Sequence, residues 1–260
     1  MFIASPRIAG ETEEFSAGAP GLRAVLPAHH TVTERVAKVE DEASQLAELL
    51  CARLCHDLAG TIGAVGTGAE LLAEENSSGN LSAAGVSGDA LALLLASAAT
   101  LSARLRFLRL ALGNGKGMTG EQLRQLVADF LAGAASGGGW RLAWQDDGPV
   151  PWSPAAGKLL VNLVWLAQDC LPRGGTIAVE ARRQPQILAR VTADGPLVSF
   201  GEAATGLTAT AIGGLGPRSA QGLYAARLAQ RQGYVIRSEN CANRISFVAE
   251  KCNLYGKDGL

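Results

Sequence analysis

The sequence predicts an α+β protein: an N-terminal helical hairpin forming a dimeric four-helix bundle, followed by a C-terminal α/β sandwich. Two long stretches, 33–75 and 87–112, repeat their leucines at helical spacing, with the turn-forming run Asn76-Ser-Ser-Gly-Asn80 between them. A glycine-rich break, Gly113-Asn-Gly-Lys-Gly117, then ends the helical pattern. Beyond it short strand-like runs mix with helical ones, which gives a sheet covered by helices on one face.

The first 32 residues mix Gly, Pro, Ala and Glu without period and read as a disordered tail. The hairpin occupies 33–113. Two helices alone cannot cover both of their apolar stripes, so a second copy is expected to complete the bundle. The second unit occupies 118–252. Its expected helices are 120–135, 154–171 and 219–232, and its expected strands 140–145, 176–182, 187–193, 234–238 and 244–249. A Gln-Pro turn separates the second and third strands.

Composition narrows the function. With 48% apolar and 18% charged residues, the chain can fold around a substantial core. Its net charge of −1 lacks the clustered basic surface that nucleic acid requires. No apolar run is expected to approach the ~20 residues of a membrane span, and no secretory leader is expected, so the predicted setting is cytoplasmic. Five scattered cysteines fit a reducing compartment. Cys51 and Cys55 lie one turn apart beside His56, but without a second Cys or His cluster they read as small packing residues rather than metal ligands.

One histidine stands outside the first thirty residues, within LCHDLAGTIGAVGTGAELL (54–72). On a helical projection Leu46, Leu50, Leu54, Leu58, Ile62, Val65 and Leu72 share an arc, and His56 lies about 200° from its middle. Ala52, Arg53, Ala59, Gly60 and Gly63 are its near neighbours on that outer face. Glycine costs a helix interior roughly 1 kcal/mol relative to alanine. Two beside an exposed imidazole suggest a surface kept low so that another protein can reach a nucleophile. Asp57 falls at the edge of the buried arc. On the second helix Phe107 points away from the leucine stripe, either as an interface anchor or as packing against the second unit.

The stretch CHDLAGTIG (55–63) is similar to the H-box of two-component histidine kinases, and more closely to that of the ChpT-type histidine phosphotransferases, whose motif runs His-Asp-Leu-Ala-Gly-Pro-Ile-Gly. Thr61 stands here in place of the proline. In the second unit, 159–175 resembles the kinase N-box helix, with Asn162 at a common structural asparagine. Leu166 occupies the magnesium-binding asparagine position, Asp169 the phosphate-contacting lysine position, and Ala193 the adenine-reading aspartate position. Leucine cannot ligate a hard cation, and a carboxylate repels a triphosphate. The glycine-rich stretch 213–222 lacks the Gly-Lys-Ser/Thr ending of a phosphate loop. The resemblance therefore implies a degenerate, Bergerat-type kinase ATPase domain that binds no cofactor.

It further implies a phosphorelay intermediate. A phosphoaspartyl receiver of a hybrid histidine kinase would pass its phosphoryl group to His56, and receivers of response regulators, CtrA-like by analogy and linked to the cell cycle, would take it on. Magnesium would belong to the receiver. Asp57 would orient the ring and accept its N–H proton, and Arg53 would contact the phosphoryl group or stand as a solvated helix charge. Gly60 lies where related kinases place a water-positioning Thr or Asn, which implies poor phosphatase activity. Gly60, Gly63, Thr67, Glu70 and Phe107 are the expected partner-binding residues, with Gly66 and Gly68 keeping the docking face flat and Arg182 and Arg183 as a possible second contact. Two rival readings stay open: a sensor kinase fragment that uses ATP, and a non-catalytic dimeric scaffold that binds a regulator.

Overall fold

The computed structural model describes residues 32–77, 84–133, 139–146, 148, 150–182 and 187–252. The expected tail up to residue 31, the centre of the expected hairpin turn, the Gln-Pro turn and Arg183 lie outside these residues.

The hairpin helices are α1 (Val32–Ser77) and α2 (Ala84–Leu112). Then follow α3 (Gly120–Gly133), β1 (Trp140–Asp146), α4 (Pro154–Asp169), β2 (Gly175–Ala181) and β3 (Ile187–Asp194). The last third holds a short helix α5 (Glu202–Thr205), a single 3₁₀ turn (Gly206–Thr208), α6 (Pro217–Arg231), β4 (Tyr234–Cys241) and β5 (Arg244–Lys251). Caps fix where helices start. Thr119 and Gln122 exchange backbone-to-side-chain hydrogen bonds at 2.9 and 3.2 Å in a reciprocal capping box. Ser153 accepts from the Ala156 N–H ahead of Pro154, which cannot donate and is tolerated in a first turn.

The sheet has five strands in the order β1-β2-β3-β5-β4. β1 and β2 run parallel, as their connection through α4 requires, and the other neighbours pair antiparallel. Ile177, Val179 and Ala181 on β2 and Val191 and Ala193 on β3 point to one buried face. Against these strands lies α4, on which every residue from Leu159 to Ala167 is buried. α3 packs beside β1 and α6 beside β4. This is the expected sheet with helices on one face.

The sequence missed α5 and the turn after it, because small residues and glycines carry no apolar period. Packing specifies them instead. A Cβ at Gly206 would overlap the Ser219 carbonyl, and one at Gly222 would overlap the Ala203 carbonyl, so glycine is needed for this segment to lie against α6.

α2 packs against α3 and α4 as well as extending the hairpin. Phe107, expected on an outer face, is completely buried: it stacks on Phe130 with ring centroids 3.8 Å apart and meets the edge of Trp165. It is a core residue rather than a partner anchor. The leucine stripes expected from periodicity are largely covered, with Leu46, Leu58 and Leu108 buried, but Leu105 on α2 and Ile62 on α1 are exposed, as are Leu91 and Leu95 on a neighbouring face of α2. By length and composition the segment Gly88–Leu112 could cross a membrane, contrary to the expectation that no apolar run would. Its charges are confined to Asp89 at the start and to Arg104, Arg106 and Arg109 near the end, which leaves a long uncharged centre.

Candidate functional site around His56

His56 lies midway along α1 with 72% of its side chain exposed. The surface beside it is low: a Cβ at Gly60 or Gly63 would meet nothing within 4 Å. Thr67 and Glu70 are exposed further along the same helix. Gly68 is different. It is buried, and a Cβ there would press to 3.2 Å from the Cα of Leu94, so this glycine allows close approach of α1 and α2 rather than flattening a docking face.

Asp57 bridges two neighbours. Its Oδ1 is 3.1 Å from Nδ1 of His56 and its Oδ2 is 3.4 Å from Nε of Arg53. With Nδ1–H donating to Asp57, the ring's Nε2 carries the lone pair, the arrangement an imidazole nucleophile requires.

Arg53 does not face solvent beside His56. Its side chain is 2% exposed, its Nη2 donates to Asp169 Oδ2 at 2.5 Å, and its Nη1 donates to the Arg218 carbonyl at 3.2 Å. The guanidinium lies 4.2 Å over the ring of Trp165. Neither a phosphoryl contact nor a solvated helix charge describes it. On the projection it sits just outside the buried arc, and its long stem carries the charge inward to a partner on α4. Asp169 is thereby committed to α1. Burial pushes its carboxyl above the usual range, while Arg53 acts in the opposite direction. The line of groups His56–Asp57–Arg53–Asp169 thus links the exposed ring to the sandwich.

Asn162 is fully buried, and its side-chain amide donates to the carbonyls of Ala111 and Lys158 at 2.9 Å each, tying α4 to the end of α2. Gln221 donates to Asn162 Oδ1 at 3.2 Å. Leu166 and Ala193 are fully buried apolar residues. Arg182 pairs with Glu180 on its own strand. Cys51 and Cys55, expected to pack, are exposed.

A cavity of about 530 Å³ opens beside His56, walled by α1, α2 and the end of α3. His56, Asp57, Gly60 and Thr61 line one side, and Ser97, Thr100 and Arg104 the other. Arg104 donates from Nη1 to the Asp57 carbonyl at 2.8 Å. Sequence reasoning did not find this residue, although an arginine within the apolar α2 was a visible irregularity.

The chain is similar to known phosphotransferases. Residues 121–243 match the family model described as histidine phosphotransferase C-terminal domain. A 142-residue stretch, 53% of the chain, is 32% identical to protein phosphotransferase ChpT of Brucella abortus (strain 2308) and spans 61% of that relative's length. A solved bacterial phosphotransferase superposes with a TM-score of 0.63 at 29% identity, over 80% of this chain and 97% of its own. The sandwich thus matches a histidine phosphotransferase C-terminal domain, and the chain is similar in sequence and overall fold to bacterial protein phosphotransferases of the ChpT type.

Proposed function

We propose that the protein is the histidine phosphotransferase of a phosphorelay, with His56 as phosphoacceptor. The observation that carries this reading is the exposed imidazole held by Asp57 on a helix face kept bare by Gly60 and Gly63. A phosphoaspartyl receiver docks over this face. Nε2 of His56 forms the N–P bond as the acyl phosphate's P–O bond breaks, and the receiver's carboxylate leaves. Asp57 holds the Nδ1 proton and offsets the positive charge that develops on the ring. A second receiver's carboxylate then attacks phosphorus, and the N–P bond breaks. Orientation of two preformed reactants supplies most of the rate. Magnesium, where used, belongs to the receiver's acidic pocket and not to this chain.

The donor is a hybrid-kinase receiver and the acceptors are response-regulator receivers. Thr67 and Glu70 extend the docking face beyond the two glycines. Two copies form the working unit, because the exposed Leu91, Leu95 and Leu105 on α2 and Ile62 on α1 need a second hairpin to cover them. The domain division at 113–118 separates a phosphotransfer hairpin from a sandwich that no longer uses ATP. Two features support the loss of ATP use: Leu166 and Ala193 are buried apolar residues, and Asp169 is paired with Arg53. All five cysteines are free, in keeping with the cytoplasm.

Incubation with a ³²P-labelled phospho-receiver, and separately with labelled ATP, tests the reading in the wild type and in His56→Ala. Label from the receiver that disappears in His56→Ala is expected, with none from ATP. Label from ATP would make the chain a kinase. An unlabelled wild type would make it a scaffold. Label that survives His56→Ala would move the site.

A further inference from the structure

The two arginines nearest the His56–Asp57 pair differ in how far their charge is satisfied. Arg53 is surrounded: two carboxylates, a carbonyl and an aromatic face take up its guanidinium. Among the described residues Arg104 makes one hydrogen bond, to the Asp57 main-chain carbonyl. It has no carboxylate partner among the described residues, and its buried Nε–H has no acceptor there. A buried donor left without a partner is unfavourable, which favours a ligand whose oxygens can use the group. Among the described residues that line the cavity beside His56, Arg104 is also the one arginine or lysine. The small residues around it, Gly60, Ala64, Ala96 and Ser97, leave room for a tetrahedral anion.

From these observations we infer that Arg104 is the phosphoryl-binding residue of the transfer site: its guanidinium receives the non-bridging oxygens of the group travelling to and from Nε2 of His56. A planar fork of N–H donors suits two oxygens of a phosphoryl group. The bond to the Asp57 carbonyl fixes this fork relative to the residue adjoining the nucleophile, so the cation is placed before the donor arrives. The inference rests on the relay reading for its nucleophile, but it assigns the cation independently of which receivers dock.

Phosphoramidate, a small phosphoryl donor with no docking surface, separates this role from partner binding. Its P–N bond breaks as the bond to His56 forms, and ammonia leaves. Phosphohistidine formation is followed by ³¹P NMR in the wild type, Arg104→Lys, Arg104→Gln and His56→Ala, with thermal melts confirming that each variant is folded. Arg104→Gln is expected to slow phosphorylation by phosphoramidate, and by a phospho-receiver, at least about tenfold. Arg104→Lys should recover part of the rate because it keeps the charge but loses the fork. Equal rates in the wild type and a folded Arg104→Gln would overturn the inference. So would a defect seen with the receiver alone, which would make Arg104 a docking residue. If phosphoramidate labels neither the wild type nor the variants, the relay reading fails together with this assignment. If it labels the wild type but Arg104 variants match it, the relay reading stands and the arginine assignment alone falls.

Discussion

At the scale of single residues, environment decides which side chains react and which stay inert. His56 and Cys170 are both nucleophile types, but one stands on an open helix face and the other is fully buried at the end of α4. Burial pushes the Cys170 thiol from 9.0 to about 11, with the charge of Asp169 adding to the rise and a hydrogen bond from the Gly201 backbone opposing it. Native Cys170 keeps its proton where an unfolded chain has lost it. The folded state therefore binds more protons between these pKa values, and stability falls as pH rises through that window. The stabilisation present below pH 9 and lost by pH 11 is roughly 3 kcal/mol, from two units at about 1.4 kcal/mol each. Urea midpoints measured at pH 8 and pH 10.5 should fall more steeply for the wild type than for Cys170→Ala. Parallel lines for the two proteins would refute this.

At the scale of elements, the Arg53–Asp169 pair joins α1 to α4. Removing one partner of a buried pair leaves the other charge uncompensated, so Arg53→Ala should lower stability by about 3 kcal/mol in denaturant unfolding. Adding Asp169→Leu should recover much of that loss, since the orphaned carboxylate is then gone as well. A double variant as weak as the sum of its singles would show that the residues do not act as a pair.

This pair also marks how far sequence reasoning reaches. Strands and long helices were legible because period 2 and period 3.6 are local properties of the chain. For Phe107 the projection left two roles open, and packing against the second unit is the one realised; Arg53 was misplaced because a single-helix projection assumes one buried side. α2 is covered by α3 and α4 on the side Phe107 occupies, and Arg53 finds a carboxylate contributed from 116 residues further along the chain. Likewise Gly68 shares its composition with Gly60 and Gly63, and its buried contact with α2 separates them. Within the candidate site, the His56–Asp57 geometry follows from adjacency on one helix. Arg104 comes from the other hairpin helix and became visible as a site residue only through the fold.

At the scale of the molecule, the hairpin and sandwich share a continuous core, with Leu58, Phe107, Leu108 and Ala111 of the hairpin clustering with Phe130, Trp165 and Phe247. The proposed phosphoacceptor is therefore carried on a helix packed into that core, which suits the proposed reaction, governed by positioning. Exposed Leu91, Leu95, Leu105 and Ile62 predict a dimer by light scattering, and Leu95→Glu with Leu105→Glu should yield monomers of unchanged helical content. A wild type that is monomeric at tens of micromolar would contradict the bundle. The central claim, that the protein passes a phosphoryl group between receivers through His56, is tested most directly by a reconstituted relay. A purified, ³²P-labelled donor receiver and an unlabelled acceptor receiver are mixed with catalytic amounts of the protein. The account predicts rapid appearance of label on the acceptor with the wild type and none above background with His56→Ala. Transfer that proceeds equally well with His56→Ala would contradict it.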